Sequence, residues 1–189
     1  VLDDLADGTK DEDTVFSVDL SASDVDGDQL TYSSSVDGNG SASVDGSTLT
    51  VTPASNYNGD IVVTVSASDG SLLDTGSFTL TVTPVNDAPV ISSVADQAID
   101  EDSSLTLSLS ASDIDGDQLI YSASVDGNGT ASVDGTDLTV TPTGDYNGNI
   151  LVTVTVNDGE ETASTSFTLT VNPVNDAPVL DDLADGTTD

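Results

Sequence analysis

Residues 43–53, Ser43-Val44-Asp45-Gly46-Ser47-Thr48-Leu49-Thr50-Val51-Thr52-Pro53, decide the fold. Leu49 and Val51 alternate with threonine, the period of two that a half-buried strand shows. Threonine and valine suit a pleated surface. Asp45-Gly46 supplies a turn signal just upstream, so a short strand near 41–44 folds back on 49–51. The string then returns as Ser132-Val133-Asp134-Gly135-Thr136-Asp137-Leu138-Thr139-Val140-Thr141-Pro142, an offset of 132 − 43 = 89. The chain is a β-protein that repeats itself.

Working outward, the same alternation continues on both sides. Phe16, Val18 and Leu20 precede the hairpin, followed by Leu30 and Tyr32. After it come Ile61, Val63, Val65 and Ala67, then Phe78, Leu80 and Val82. No helical period is present. Asp37-Gly38-Asn39-Gly40 and Asn58-Gly59 also read as turns, with Asp37-Gly38 and Asp45-Gly46 expected to be plain hairpin turns. With an opening strand near 2–5, each copy holds seven strands. The predicted fold class is all-β, tandem seven-stranded Greek-key β-sandwiches of immunoglobulin type. Tyr57 and Tyr146 precede the sixth strand, where a tyrosine corner falls; filling a core gap is the other reading.

The linker Val85-Asn86-Asp87-Ala88-Pro89 recurs as Val174-Asn175-Asp176-Ala177-Pro178, and Asp24-Val25-Asp26-Gly27-Asp28 recurs as Asp113-Ile114-Asp115-Gly116-Asp117. The expected domains are repeat one at residues 1–89, repeat two at 90–178, and the first strand of a third at 179–189. Residues 179–189 match 1–11 except for Thr188 in place of Lys10. The chain begins in mid-pattern with no signal peptide, so a longer parent array is expected.

The net charge is -34, from 35 acids and one base, Lys10. Nucleic acid is excluded as a partner, because phosphate binding needs Lys and Arg. Anionic membranes fall on the same ground, and no apolar run is long enough to insert. With no Cys or His, zinc and iron–sulfur sites lack their ligands, and histidine acid–base catalysis is absent.

Strand parity places the acids. Successive strands run up and down, so the loop with Asp11-Glu12-Asp13, the turn at Asn56 and the exit at Asn86-Asp87 share the lower pole. Asp24 to Asp28 and Asp69 share the upper pole. Stacking copies sets Glu12, Asn56, Asn86 and Asp87 against Asp113, Asp115 and Asp158. Carboxylates this close repel by roughly several kcal/mol at intermediate dielectric. Ca²⁺, which takes six to eight oxygens, fits best, and Mg²⁺, tied to tight octahedral geometry, fits less well. Surface acid carried merely for solubility is the competing explanation.

The residues resemble a cadherin repeat, through the linker Asn-Asp-Ala-Pro, the Asp-x-Asp-Gly-Asp loop, the acid before the second strand and the Asp-Gly after the sixth. The whole unit is similar to the bacterial cadherin-like repeats of giant RTX-type adhesins. The resemblance implies metal ligands at Glu12 and Glu101, at Asp24, Asp26, Asp113 and Asp115, at Asp69 and Asp158, and at Asn86, Asp87, Asn175 and Asp176. Asn56 and Asp145 stand where cadherins carry an acidic motif, and the linker lacks a leading Asp. Both departures imply one or two ions per junction.

The expected function is a Ca²⁺-stiffened extender of a bacterial surface adhesin. It would be extracellular and monomeric, with neighbouring repeats of the same chain as partners. A Ca²⁺-dependent carbohydrate-binding module is the alternative, against which all seven Phe and Tyr fall at core or corner positions. The Asp-rich loop is not an EF-hand: Gly27 is fourth and Ser35 twelfth, where that loop needs Gly sixth and Glu twelfth. An enzyme is not expected, since two acids one residue apart cannot flank a substrate and no nucleophile–base pair is visible. Asp3, Asp4 and Asp7 read as solvated charges or weak contributors.

Overall fold

A computed structural model describes residues 1–178; the expected opening strand of a third repeat, at 179–189, lies outside the described residues. The chain divides into two compact units, Val1–Asn86 and a second from Asp87 onward. No helix occurs among the described residues, so none crosses a membrane.

The first unit contains β1 (Gly8–Asp11), β2 (Phe16–Asp19), β3 (Thr31–Val36), β4 (Gly40–Asp45), β5 (Thr48–Pro53), β6 (Gly59–Ser68) and β7 (Leu73–Thr83). One sheet has the order β2-β5-β4 and the other β1-β7-β6-β3. All pairs are antiparallel except β1 with β7, which is parallel. The second unit contains β8 (Val90–Ile91), β9 (Gln97–Asp100), β10 (Leu105–Ser108), β11 (Ala111–Ser112), β12 (Ile120–Val125), β13 (Gly129–Asp134), β14 (Asp137–Pro142), β15 (Gly148–Asn157) and β16 (Thr162–Asn172). Its sheets are β10-β14-β13 and β12-β15-β16-β9, with β9 parallel to β16, plus a short β11-β8 pair.

The core follows the period of two. Along β6, Ile61, Val63, Val65 and Ala67 are buried and alternate with more exposed residues. Leu49, Val51, Phe78, Leu80 and Val82 meet them from the other strands, and the Phe16 and Phe78 rings pack at 5.9 Å. Each fully buried Val, Leu or Ile stabilises by roughly 1.5–3 kcal/mol. All four tyrosines and three phenylalanines belong to the two cores or pack against them.

Three expectations change in the structure. The opening strand is not a single run at 2–5. Leu2 makes one bridge to Ala22 and Asp3 N–H donates to Ser21 O at 2.9 Å, while the ladder proper is β1, on the opposite sheet. The cause is spacing: Leu2 and Leu5 lie three apart, both pack on the core, and the chain crosses between sheets after them. Gly8 permits the arrival, since a Cβ there would sit 2.8 Å from the Phe16 ring.

Asp37-Gly38 is not a hairpin turn, because β3 and β4 belong to different sheets and this segment carries the chain across. Asp37 Oδ1 accepts from Val62 N–H at 3.0 Å and so fastens the crossing to β6. Asp45-Gly46 is the hairpin turn expected, with Asp45 paired to Thr48.

A tyrosine corner bonds back to the backbone upstream; here the hydroxyl reaches forward, so the corner expected at Tyr57 and Tyr146 is not formed. Tyr57 donates to Asp60 O at 2.9 Å and Tyr146 to Asn149 O at 3.0 Å. The ring lies over Gly59 (φ 132°), where a Cβ would meet the hydroxyl at 2.9 Å. Gly59→Ala is therefore expected to cost about 1–3 kcal/mol from strain, against about 1 kcal/mol for Tyr57→Phe, which loses one hydrogen bond. Urea unfolding of each variant measures both.

Candidate metal centre

The lower pole of each unit is assembled by a glutamate that follows the first ladder strand. Glu12 N–H continues the β1–β7 ladder by donating to Thr83 O at 2.9 Å. Its side chain turns inward and is only 3% exposed. Oε1 accepts from Val85 N–H at 2.7 Å, while Oε2 is buried with no hydrogen-bond partner. Glu101, 6% exposed, repeats the arrangement: Oε1 accepts from Val174 N–H at 2.6 Å and Oε2 takes a long contact of 3.4 Å from Asn147 Nδ2.

A buried carboxylate oxygen without a partner costs several kcal/mol unless a cation or donor satisfies it. The chain has no His or Arg, and its one Lys is exposed on β1. The donor set is all oxygen and hard, which suits Ca²⁺ or Mg²⁺ and not zinc.

The neighbouring turns converge on this pole as parity requires. Asn56 N–H donates to Asp13 Oδ1 at 3.1 Å, joining the fifth-to-sixth strand turn to the loop after β1. Asp145 N–H donates to Asp102 Oδ1 at 3.2 Å in the second unit. There, carboxylate oxygens of Asp102, Asp145 and Asp176 lie within 4.8 Å of one another. Loss of surrounding water, then repulsion from Asp145, Asp102 and Glu101, holds the Asp176 carboxyl above the ordinary value of 3.8. Asn175 Nδ2 donates to Asp176 O at 3.1 Å. Asn86, the last residue of the first unit, and Asp87, the first of the second, are half-buried.

The upper pole is built by self-capping loops. Asp113 Oδ1 accepts from the N–H groups of Asp115, Gly116 and Asp117 at 3.0, 3.0 and 3.1 Å, and its Oδ2 is buried without a partner. The carboxylates of Asp113, Asp115 and Asp117 also lie within 4.8 Å of one another. Asp87 N–H donates to Asp115 Oδ2 at 2.8 Å. In the first unit Asp24 Oδ1 accepts from Asp26 and Asp28 N–H at 2.9 and 3.2 Å. Asp24 and Asp69 line one cleft, whereas Asp26, next to fully exposed Val25, is exposed and belongs to no carboxylate cluster among the described residues.

Asp69 Oδ1 accepts from Ser71 and Leu72 N–H, both at 2.7 Å, and these bonds, Leu72 first, hold its carboxyl below 3.8. Asp158 Oδ1 accepts likewise from Glu160 and Glu161 N–H at 2.7 and 2.6 Å.

Sequence reasoning missed Asp102 and Asp117 as cluster members. Asp102 is the last residue of an Asp-Glu-Asp run, and its φ of 62° turns it toward Asp145. That run was the available signal. Asp117 closes the Asp-x-Asp-Gly-Asp string, and Gly116 (φ 83°) folds it back onto Asp113.

Asp74 gives a pH-dependent fastening. Leu2 N–H, foremost, and Thr75 N–H hold its carboxyl below 3.8. A depressed folded value means that stability is present above 3.8 and is lost as pH falls through the lower folded value. Asp74→Ala should therefore lower Tm at neutral pH and lose its effect as pH falls below the lowered folded value. Thermal melts over a descending pH series test this.

Comparison with known proteins gives three findings. Residues 1–83 and 86–172 each match the family model described as "Bacterial Ig domain". Chitinase A of Pseudoalteromonas piscicida is 33% identical over 175 residues, covering 88% of this chain; the chain spans 21% of that relative's length. Among solved structures, human protocadherin-24 EC1-2 is 19% identical with a TM-score of 0.49, covering 85% of this chain and 88% of that one. Drosophila N-cadherin EC1-3 is 15% identical with a TM-score of 0.43, covering 89% and 64%.

Proposed function

The chain belongs to the bacterial Ig domain family, and from that premise we propose that its repeats are Ca²⁺-stiffened extender modules of a large bacterial surface adhesin, working outside the cell. The observation that carries this reading is Glu12 Oε2, a carboxylate oxygen buried without a partner in a chain of net charge -34. A fold does not retain such a group unless something positive satisfies it or strain is tolerated for another purpose.

The ligands proposed at the lower pole are Glu12, Asn56, Asn86 and Asp87, and in the second copy Glu101, Asp102, Asp145, Asn175 and Asp176. Those proposed at the upper pole are Asp113, Asp115 and Asp158, with Asp24, Asp26 and Asp69 in the first copy. Linker residues reach a pole in each unit: Val85 N–H is held by Glu12 within the first unit, and Asp87 N–H by Asp115 within the second. Bound Ca²⁺ would supply the charge that the carboxylates lack and a coordination shell that fixes their geometry. The chain would act as a monomeric spacer that projects a terminal binding domain.

Small-angle scattering tests the mechanism. The radius of gyration should be larger and the chain stiffer in millimolar Ca²⁺ than in EGTA; equal extension in both would sink it. The chitinase relative raises carbohydrate binding as the other reading. With every aromatic ring engaged in a core, a glycan array in Ca²⁺ is expected to be blank.

A further inference from the structure

We infer that the two repeats are of two types, each with an opening segment cut to fit its own sandwich, and that residues 179–189 are cut to fit the first type. The two described segments are anchored alike. Asp7 Oδ1 accepts from Thr79 N–H at 2.8 Å, and Asp96 Oδ1 from Thr168 N–H at 2.7 Å. Gly8 stands opposite Leu80 as Gln97 stands opposite Leu169. The Asp7 that reads as a solvated charge in sequence thus helps to fix the register, and residues 89 apart meet corresponding surroundings.

At two of those places the residues differ in a compensating way. In the first unit Gly8 faces Phe16, and a Cβ there would lie 2.8 Å from the ring. In the second unit Gln97 and Leu105 hold these positions, so bulk has moved from the sandwich to the segment. Gly76 leaves room for Leu2 and Leu5, which come to 3.2 and 3.5 Å of where its Cβ would sit. The second unit has Thr165 there, facing a segment with the shorter-reaching Ile91 and Val94. Asp74 also accepts from Leu2 N–H, where the second unit has Ala163.

Neither segment therefore serves the other sandwich. Gln in place of Gly8 would drive into the Phe16 ring, and Leu in place of Val94 would crowd Thr165, both overpacked. Similar strands in tandem repeats are prone to trade places during folding, and these pairs disfavour it. Residues 179–189 match 1–11 at ten of eleven positions but 90–100 at only four, and they carry Leu180, Leu183 and Gly186 at the matching places. The partner this segment fits is a sandwich with phenylalanine at the Phe16 place and glycine at the Gly76 place.

Hydrogen exchange of the whole chain in EGTA, read by mass spectrometry, follows each unit separately and without reference to any ion. Gly8→Gln should open the first unit about tenfold more often, the low end of an overpacking penalty, and leave the second unchanged. Phe16→Leu alone should also loosen the first unit, yet tighten it when added to Gly8→Gln. Writing the sequence of 179–189 over residues 90–100 should open the second unit by a similar factor. Leu105→Phe with Thr165→Gly should then protect the grafted unit while harming the unaltered one. If the second unit accepts the 179–189 sequence without loss, or if these sandwich substitutions harm matched and mismatched segments alike, the two types are not keyed. A chain insensitive to Ca²⁺ would overturn the extender mechanism and leave this result readable.

Discussion

Replacing Glu12 with glutamine should raise Tm in EGTA and lower it in millimolar Ca²⁺, relative to the unaltered chain. The sign inversion follows from the two oxygens. Oε1 holds Val85 N–H, and the amide oxygen of glutamine can take over that bond. Oε2 has no partner, so without metal the substitution exchanges a buried uncompensated charge for a buried amide N–H₂. An orphaned amide donor costs about 1–3 kcal/mol, less than an orphaned charge. A net gain of about 1–2 kcal/mol is expected, and for a domain of this size each kcal/mol moves Tm by roughly 4–8 °C. In Ca²⁺ the same change deletes a charged ligand and the linkage stabilisation it supports. A shift of the same sign in both buffers would mean that Glu12 serves the linker alone.

Asp113 should behave differently, because its two oxygens carry separate duties. Oδ1 gathers three backbone N–H groups of its own loop, and Oδ2 is the buried orphan. Asp113→Ala removes both and should cost about 2–3 kcal/mol in EGTA, since it strands backbone donors, and more in Ca²⁺, where a charged ligand is lost as well. Asp113→Asn keeps the acceptor for the loop and loses only the charge. It should be nearly neutral in EGTA and lose most of the Ca²⁺ response. Chemical denaturation in both buffers separates the two outcomes. Equal damage from Ala and Asn in EGTA would show that charge, and not the loop bonds, holds this turn.

Most of the fold was legible because its signal is local. Leu49-Thr50-Val51 or Ile61-Val62-Val63 names a strand and its inward face at once, and the burial of Leu49, Val51, Ile61 and Val63 follows from period alone. Parity then brings the Glu12 loop and the Asn56 turn to one pole without any long-range information, and the Asn56–Asp13 bond reflects that. What sequence did not yield depends on events across the sandwich. The opening strand splits because Leu2 and Leu5 both find the core at a spacing that one strand cannot serve. The crossing at Asp37 looks like a hairpin because Asp-Gly favours either outcome, and only the partner strand, β6, decides. Asp102 was passed over because its orientation depends on a backbone dihedral, and Asp7 because its acceptor role needs β7 beside it.

The central claim is that the buried, unpartnered oxygens of Glu12 and Asp113 are there for Ca²⁺, and thermal unfolding of the unaltered chain tests it most directly. Melts in EGTA, millimolar Ca²⁺, millimolar Mg²⁺ and high NaCl should show a Tm rise specific to Ca²⁺, about 3 kcal/mol if the ion is present at a hundred times its dissociation constant. If NaCl stabilises as much as Ca²⁺ does, the acids are general surface charge, screened by any salt, and the metal assignment is contradicted.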